Sequence, residues 1–114
     1  MNRDATRRLS ALVEGAEADP LSVTLVRTEG DGLAHEVEGD LGLRWRIAVV
    51  RCLIAAPPDG DAVREYYGEL VDRYRDEPAR IAVLRPIGDE IRTLEASGAL
   101  PSAMVARSDR RKKP

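Results

Sequence analysis

The run Pro57-Pro58-Asp59-Gly60 limits this chain more than any other feature. Two adjacent prolines remove two backbone donors and fix two φ angles, and Asp-Gly favours a turn, so neither helix nor strand continues through it. At 114 residues the chain around that break is one domain. Hydrophobic residues (43%) suffice for a core without metals or disulfides, and charged residues (33%) cover the rest. Phe is absent, so the core has to be built from Leu, Ile, Val and Ala. This composition excludes collagen, a mucin stalk, a disulfide scaffold and a disordered chain.

Residues 4–17 read as a first helix, with Ala5, Leu9, Leu12, Val13 and Ala16 on one face, ended by Asp19-Pro20. Residues 21–28 are rich in β-formers, and Glu29-Gly30-Asp31-Gly32 has the composition of a hairpin turn. Alternation resumes over 33–38, Gly39-Asp40 offers a second turn, and Leu41, Leu43, Trp45, Ile47 and Val49 give the cleanest period of two. The pattern predicts a three-stranded antiparallel meander over 21–55. A helix over 44–56 competes with it, because Arg44, Ala48, Arg51 and Ala55 would then share a face, but the strand is preferred through Val49.

After the break, Asp61 caps a helix over 62–76 with Val63, Tyr67, Leu70, Val71 and Tyr74 inward. Residues 80–84 fit a buried strand or a short helix opened by Pro78, and Pro86 and Gly88 prevent a clean continuation. A last helix over 89–97 turns Ile87, Ile91 and Leu94 inward, with Gly98 at its left-handed cap, and 101–114 reads as frayed. The predicted fold class is α+β: a two-layer sandwich in the order α-β-β-β-α-(β)-α. The globular domain covers 1–106, and 107–114 is a disordered tail.

Net charge is −2, but its distribution is uneven. Arg107, Arg110, Arg111, Lys112 and Lys113 against Asp109 give the tail +4, leaving 13 basic and 19 acidic groups in 1–106, a balance of −6. An acidic body opposes non-specific nucleic-acid binding anywhere except at the tail. Cys52 is alone, so no disulfide or Cys-based zinc site forms within the chain. The polar start MNRDATRRLS and the absence of a long apolar run predict a cytoplasmic protein. Sixteen Arg to two Lys fits a GC-rich bacterial coding sequence.

The single histidine lies in Ala34-His35-Glu36-Val37-Glu38. On a strand His35 and Val37 share one face and Glu36 and Glu38 the other, so no metal set closes there, and a solvated strand is the simpler account. Cys52, inside an apolar run, reads as a buried small hydrophobe rather than a nucleophile. The glycines are turn glycines without a lysine-bearing helix after them, so no phosphate loop is predicted. No catalytic, cofactor or metal residue is assigned, and catalysis is disfavoured.

Arg44-Trp45-Arg46 interleaves an aromatic with two arginines. On a strand, Trp45 enters the core while Arg44 and Arg46 share the wet face, where their forked guanidiniums suit carboxylates or phosphates. Tyr66 points outward and Tyr67 inward on the second helix. The predicted partner contacts are therefore Arg44, Arg46, Tyr66, Arg107, Arg110, Arg111, Lys112 and Lys113.

The element order is similar to that of double-stranded-RNA-binding domains. Where those carry a lysine-rich motif, however, this chain reads Asp59-Gly60-Asp61-Ala62-Val63-Arg64. It is also similar to the small dimeric chaperones of bacterial secretion systems, which implies partner binding across a sheet and helix surface. The expectation is a non-catalytic interaction or accessory module, a homodimer that binds a protein partner and no membrane. The alternatives are a nucleic-acid-binding regulator using the tail with Arg44 and Arg46, and a small enzyme or ligand-binding domain involving His35.

Overall fold

A computed structural model describes residues 3–16, 20–57 and 60–100. Every element in it is helical: α1 (Arg3–Ala16), α2 (Pro20–Leu25), a π-helical turn (Val26–Gly30), α3 (Asp31–Val37), α4 (Asp40–Ala55), α5 (Gly60–Arg73) and α6 (Pro78–Ser97). The α+β sandwich and its meander over 21–55 are thus corrected to an all-α fold, with no strand among the described residues. Both resemblances in element order fall with that correction.

The reason lies first in α4, which packs against every other element. A helix surrounded in this way is apolar on most sides, so its sequence satisfies a period of two and a period of 3.6 together. Its buried residues Gly42, Leu43, Arg46, Val49, Val50 and Leu53 recur at helical spacing. A helix also closes its own backbone hydrogen bonds, which a strand here would have to find in a neighbour.

The segment 20–37 is one continuous helix. Leu25, Gly30 and Asp31 all have right-handed helical dihedrals, so the π turn is a local widening between α2 and α3 and not a break. Val23, Val26, Gly30, Ala34 and Val37 form its buried stripe, at steps of three and four. Each glycine in a helix costs about 1 kcal/mol relative to Ala, and burial of this stripe offsets that cost. The hairpin expected at 29–32 is therefore helix interior.

Gly39 makes a sharp reversal between α3 and α4, with φ 89°, a region open to glycine and strained for other residues. Three residues on, Gly42 lets α4 cross α3 closely, since a Cβ there would lie 2.7 Å from the Ala34 carbonyl oxygen. The Pro57 break holds, with α4 ending before it and α5 beginning after it. By contrast, α6 runs through Pro86 and Gly88 as one helix, so 80–84 is helical and opened by Pro78, as one of its two readings had it, while the strand and the interruption expected at Pro86 and Gly88 are corrected. Pro86 deprives the Ala82 carbonyl of its donor, but both residues are exposed and water takes the donor's place. Gly98 closes α6 in the left-handed conformation expected of it, and Leu100 behind it is buried.

The core has two parts. The larger centres on α4, α5 and α6, around Val49, Leu53, Val63, Tyr66, Leu70, Leu84 and Ile87, and also takes in Ala16 of α1, Val23 of α2 and Val26 of the π turn. The smaller joins Ala5 and Leu9 of α1 to Ala34 and Val37 of α3, with Leu33, Leu41 and Trp45 against them. Among the described residues no helix is long and apolar enough to cross a membrane.

Candidate functional site

Asp31 is the first residue after the π turn, and its carboxylate organises the most polar region of the interior. Oδ1 accepts from Arg46 Nε at 3.1 Å and from the Tyr66 hydroxyl at 3.2 Å. Oδ2 lies 3.7 Å from Arg73 Nη2. Arg46 Nη1 in turn donates to the Tyr74 hydroxyl. The Arg46 side chain is only 3% exposed, and its third nitrogen, Nη2, is buried without a hydrogen-bond partner. A buried guanidinium needs its charge matched and its donors filled. Asp31 meets the first need, and the second is met at two nitrogens of three.

Burial, together with the negative charge of Asp31 and the hydrogen bond to it, pushes the Tyr66 phenol well above its usual range. Tyr66 is therefore a fixed donor holding Asp31 in place. This corrects the outward orientation read from the sequence: the buried stripe of α5 is Val63, Tyr66 and Leu70, and Tyr67 is half-buried, donating to the Leu84 carbonyl at 3.2 Å.

Above this network the α3–α4 and α5–α6 turns face each other across a cleft of about 420 Å³. Its walls are His35, Glu38 and Gly39 on one side, Arg73, Tyr74, Glu77 and Arg80 on the other, and Arg46. Arg80 lies over the Tyr74 ring, 5.2 Å from its centre, and holds Glu77 at 3.2 Å. Arg73 Nη1 lies 3.5 Å from His35 Nδ1, and that imidazole nitrogen is 3.6 Å from Glu38 Oε1. Helical geometry brings His35 and Glu38 together at i and i+3, where a strand would have parted them.

A second concave surface lies between α1 and the 20–37 helix. It encloses about 730 Å³ and is lined by Arg8, Ala11, Leu12, Thr28, Glu29, Gly32, Leu33 and Glu36. Arg8 Nη2 reaches Glu36 Oε2 at 3.3 Å. The π turn supplies one wall, where the Thr28 hydroxyl donates toward the Leu25 carbonyl at 3.0 Å. Leu25 and, one turn earlier, Leu21 continue along the same helix, exposed by 46% and 81%.

The predicted contact residues are scattered. Arg44 is exposed and Arg46 buried, because two helical steps turn them to opposite sides of α4, so the shared arginine face is corrected. Arg107, Arg110, Arg111, Lys112 and Lys113 lie outside the described residues. Cys52 is 7% exposed within the larger core, in keeping with a small hydrophobe. Sequence reasoning missed Asp31, Arg73, Tyr74 and Arg80 as members of one site. The available signal was the helical stripe running through Gly30, which puts Asp31 next to the buried face. Comparison with protein-family models, curated proteins and solved structures finds no match to this chain.

Proposed function

We propose that this protein is a non-catalytic interaction module, working in the cytoplasm, that docks an amphipathic helix of a partner protein in the groove between α1 and the 20–37 helix. The observation that carries the reading is Leu21, 81% exposed, with Leu25 one turn on, leading into a groove floored by Ala11, Leu12 and Leu33. Isolated exposed leucines are ordinary. Two on one helix beside an apolar groove form the pattern that receives another helix's apolar stripe. Glu29 at the groove edge favours a partner helix with a basic residue beside that stripe.

The test compares wild-type protein with the Leu21→Ser/Leu25→Ser double variant as bait in extract from its own cells. Both leucines face solvent, so the variant keeps its helical circular dichroism. The expected result is a stoichiometric partner that survives a high-salt wash on the wild type and is lost from the variant. Retention by both baits overturns the assignment. So does capture only of nuclease-sensitive material lost in high salt, which would point to the basic tail, and so does recovery of the chain's own second copy.

A further inference from the structure

We propose that the cleft between the α3–α4 and α5–α6 turns is a binding site for the carboxylate group of a small molecule, with Arg46, Arg73 and Arg80 as its cationic wall. The inference is independent of the groove, which lies between α1 and the 20–37 helix and has different walls.

Three observations carry it. The first is the state of Arg46. Its side chain is 3% exposed and lines the cleft, Nε and Nη1 are fixed by Asp31 and Tyr74, and Nη2 is buried with no partner. Folding rarely leaves a charged donor unfilled, and an acceptor arriving at the cleft is what this corner lacks.

The second is the disposition of Arg73. It is 39% exposed, and its contacts to Asp31 (3.7 Å) and His35 (3.5 Å) are both long. A guanidinium held so loosely can turn toward a ligand and open the way to Arg46 at little cost. Arg80 is better fixed, by Glu77 and by the Tyr74 ring, and offers a stationary charge on the same wall.

The third is the charge balance, which selects the ligand. Arg46, Arg73 and Arg80 stand among four carboxylates: Asp31 below them, Glu38 and Glu77 at the rim, and the exposed Asp40, 3.8 Å from Arg80. A phosphate dianion would add two negative charges beside the three carboxylates at the rim. A carboxylate adds one, spread over two coplanar oxygens that fit an arginine fork. The volume, about 420 Å³, is at the small end of ligand pockets and admits a small molecule.

The experiment is a titration of the full-length protein with sodium acetate and propionate, and in parallel with phosphate, all at constant ionic strength set with sodium chloride. Binding is followed by the NMR signals of the arginine Nε–H groups and the Gly39 amide. The expected result is a saturable shift of the Arg46 and Gly39 signals with carboxylate. Arg73→Gln and Arg80→Gln should each weaken it about tenfold, and Arg44→Gln, on the other side of α4, should leave it unchanged. Both cleft arginines are partly exposed, so these variants keep the fold. Shifts no larger than those of chloride alone overturn the site. Tighter binding of phosphate than of carboxylate overturns the ligand class, and equal binding by all three variants overturns the assignment to these arginines.

Discussion

Asp31 is held from three sides, and replacing it exposes what it balances. In Asp31→Asn the amide keeps the shape of the carboxylate but leaves the Arg46 guanidinium charged and buried without a counter-ion. Removing one partner of such a pair costs several kcal/mol, and the one-third exposure of Asp31 moderates it. A loss of about 3 kcal/mol in urea-unfolding free energy is expected. A loss below about 1 kcal/mol would mean that water already balances Arg46. Tyr66→Phe should cost about 1–2 kcal/mol at neutral pH, the loss of one donor to a charged acceptor. The hydroxyl also sets a pH dependence. Folding raises the Tyr66 pKa, so its contribution is complete below the ordinary tyrosine value of 10.0. Above that the unfolded chain releases the proton while the folded chain keeps it, and stability falls by about 1.4 kcal/mol per pH unit. Alkaline unfolding followed by circular dichroism should be shallower in Tyr66→Phe, and identical slopes would detach Tyr66 from it. His35 and Arg46 were both legible as unusual residues in the sequence. What they meet was not, because Asp31, Arg73 and Arg80 reach them from elements that only the tertiary fold brings together.

The elements divide sharply into those the sequence showed and those it hid. Helices α1 and α5 were readable to within two or three residues, because each has one apolar stripe between clear breaks. In α4 burial on most sides erased the distinction between the two periods. The 20–37 helix was hidden by its glycines, which read as a turn when taken locally. Taken over the full stretch, Val23, Val26, Gly30, Ala34 and Val37 keep helical spacing across the supposed hairpin. Helices α4 and α5 hold glycines of opposite character. Gly42→Ala places a methyl 2.7 Å from a backbone oxygen, and the crossing of α3 and α4 has to shift. A loss of about 1–3 kcal/mol is expected, outweighing the better helix propensity of Ala. At Gly68 in α5 an added methyl would meet nothing within 4 Å, so Gly68→Ala should stabilise by about 0.5–1 kcal/mol. Thermal melts of the two variants should move in opposite directions, and a shared direction would remove the close crossing as the explanation.

For the molecule as a whole, the separation of the core into a large and a small part has a spectroscopic consequence. Trp45 packs against the small part, while Tyr66, Tyr67 and Tyr74 all belong to or pack against the large one. The chain therefore carries its tryptophan in one part and its three tyrosines in the other, and light at the red edge of the absorption band excites the tryptophan alone. The small part buries four residues, two of them alanines, and has the lower local stability expected of a sparse cluster. In a urea titration the tryptophan signal should change at lower denaturant than tyrosine fluorescence or helical circular dichroism. Coincident midpoints would show that both parts melt as one. Separated midpoints would mean that the seat of Ala5 and Leu9 on α3 opens while the larger core, with Ala16, Val23 and Val26 in it, stays closed, a motion that tryptophan emission would follow in real time.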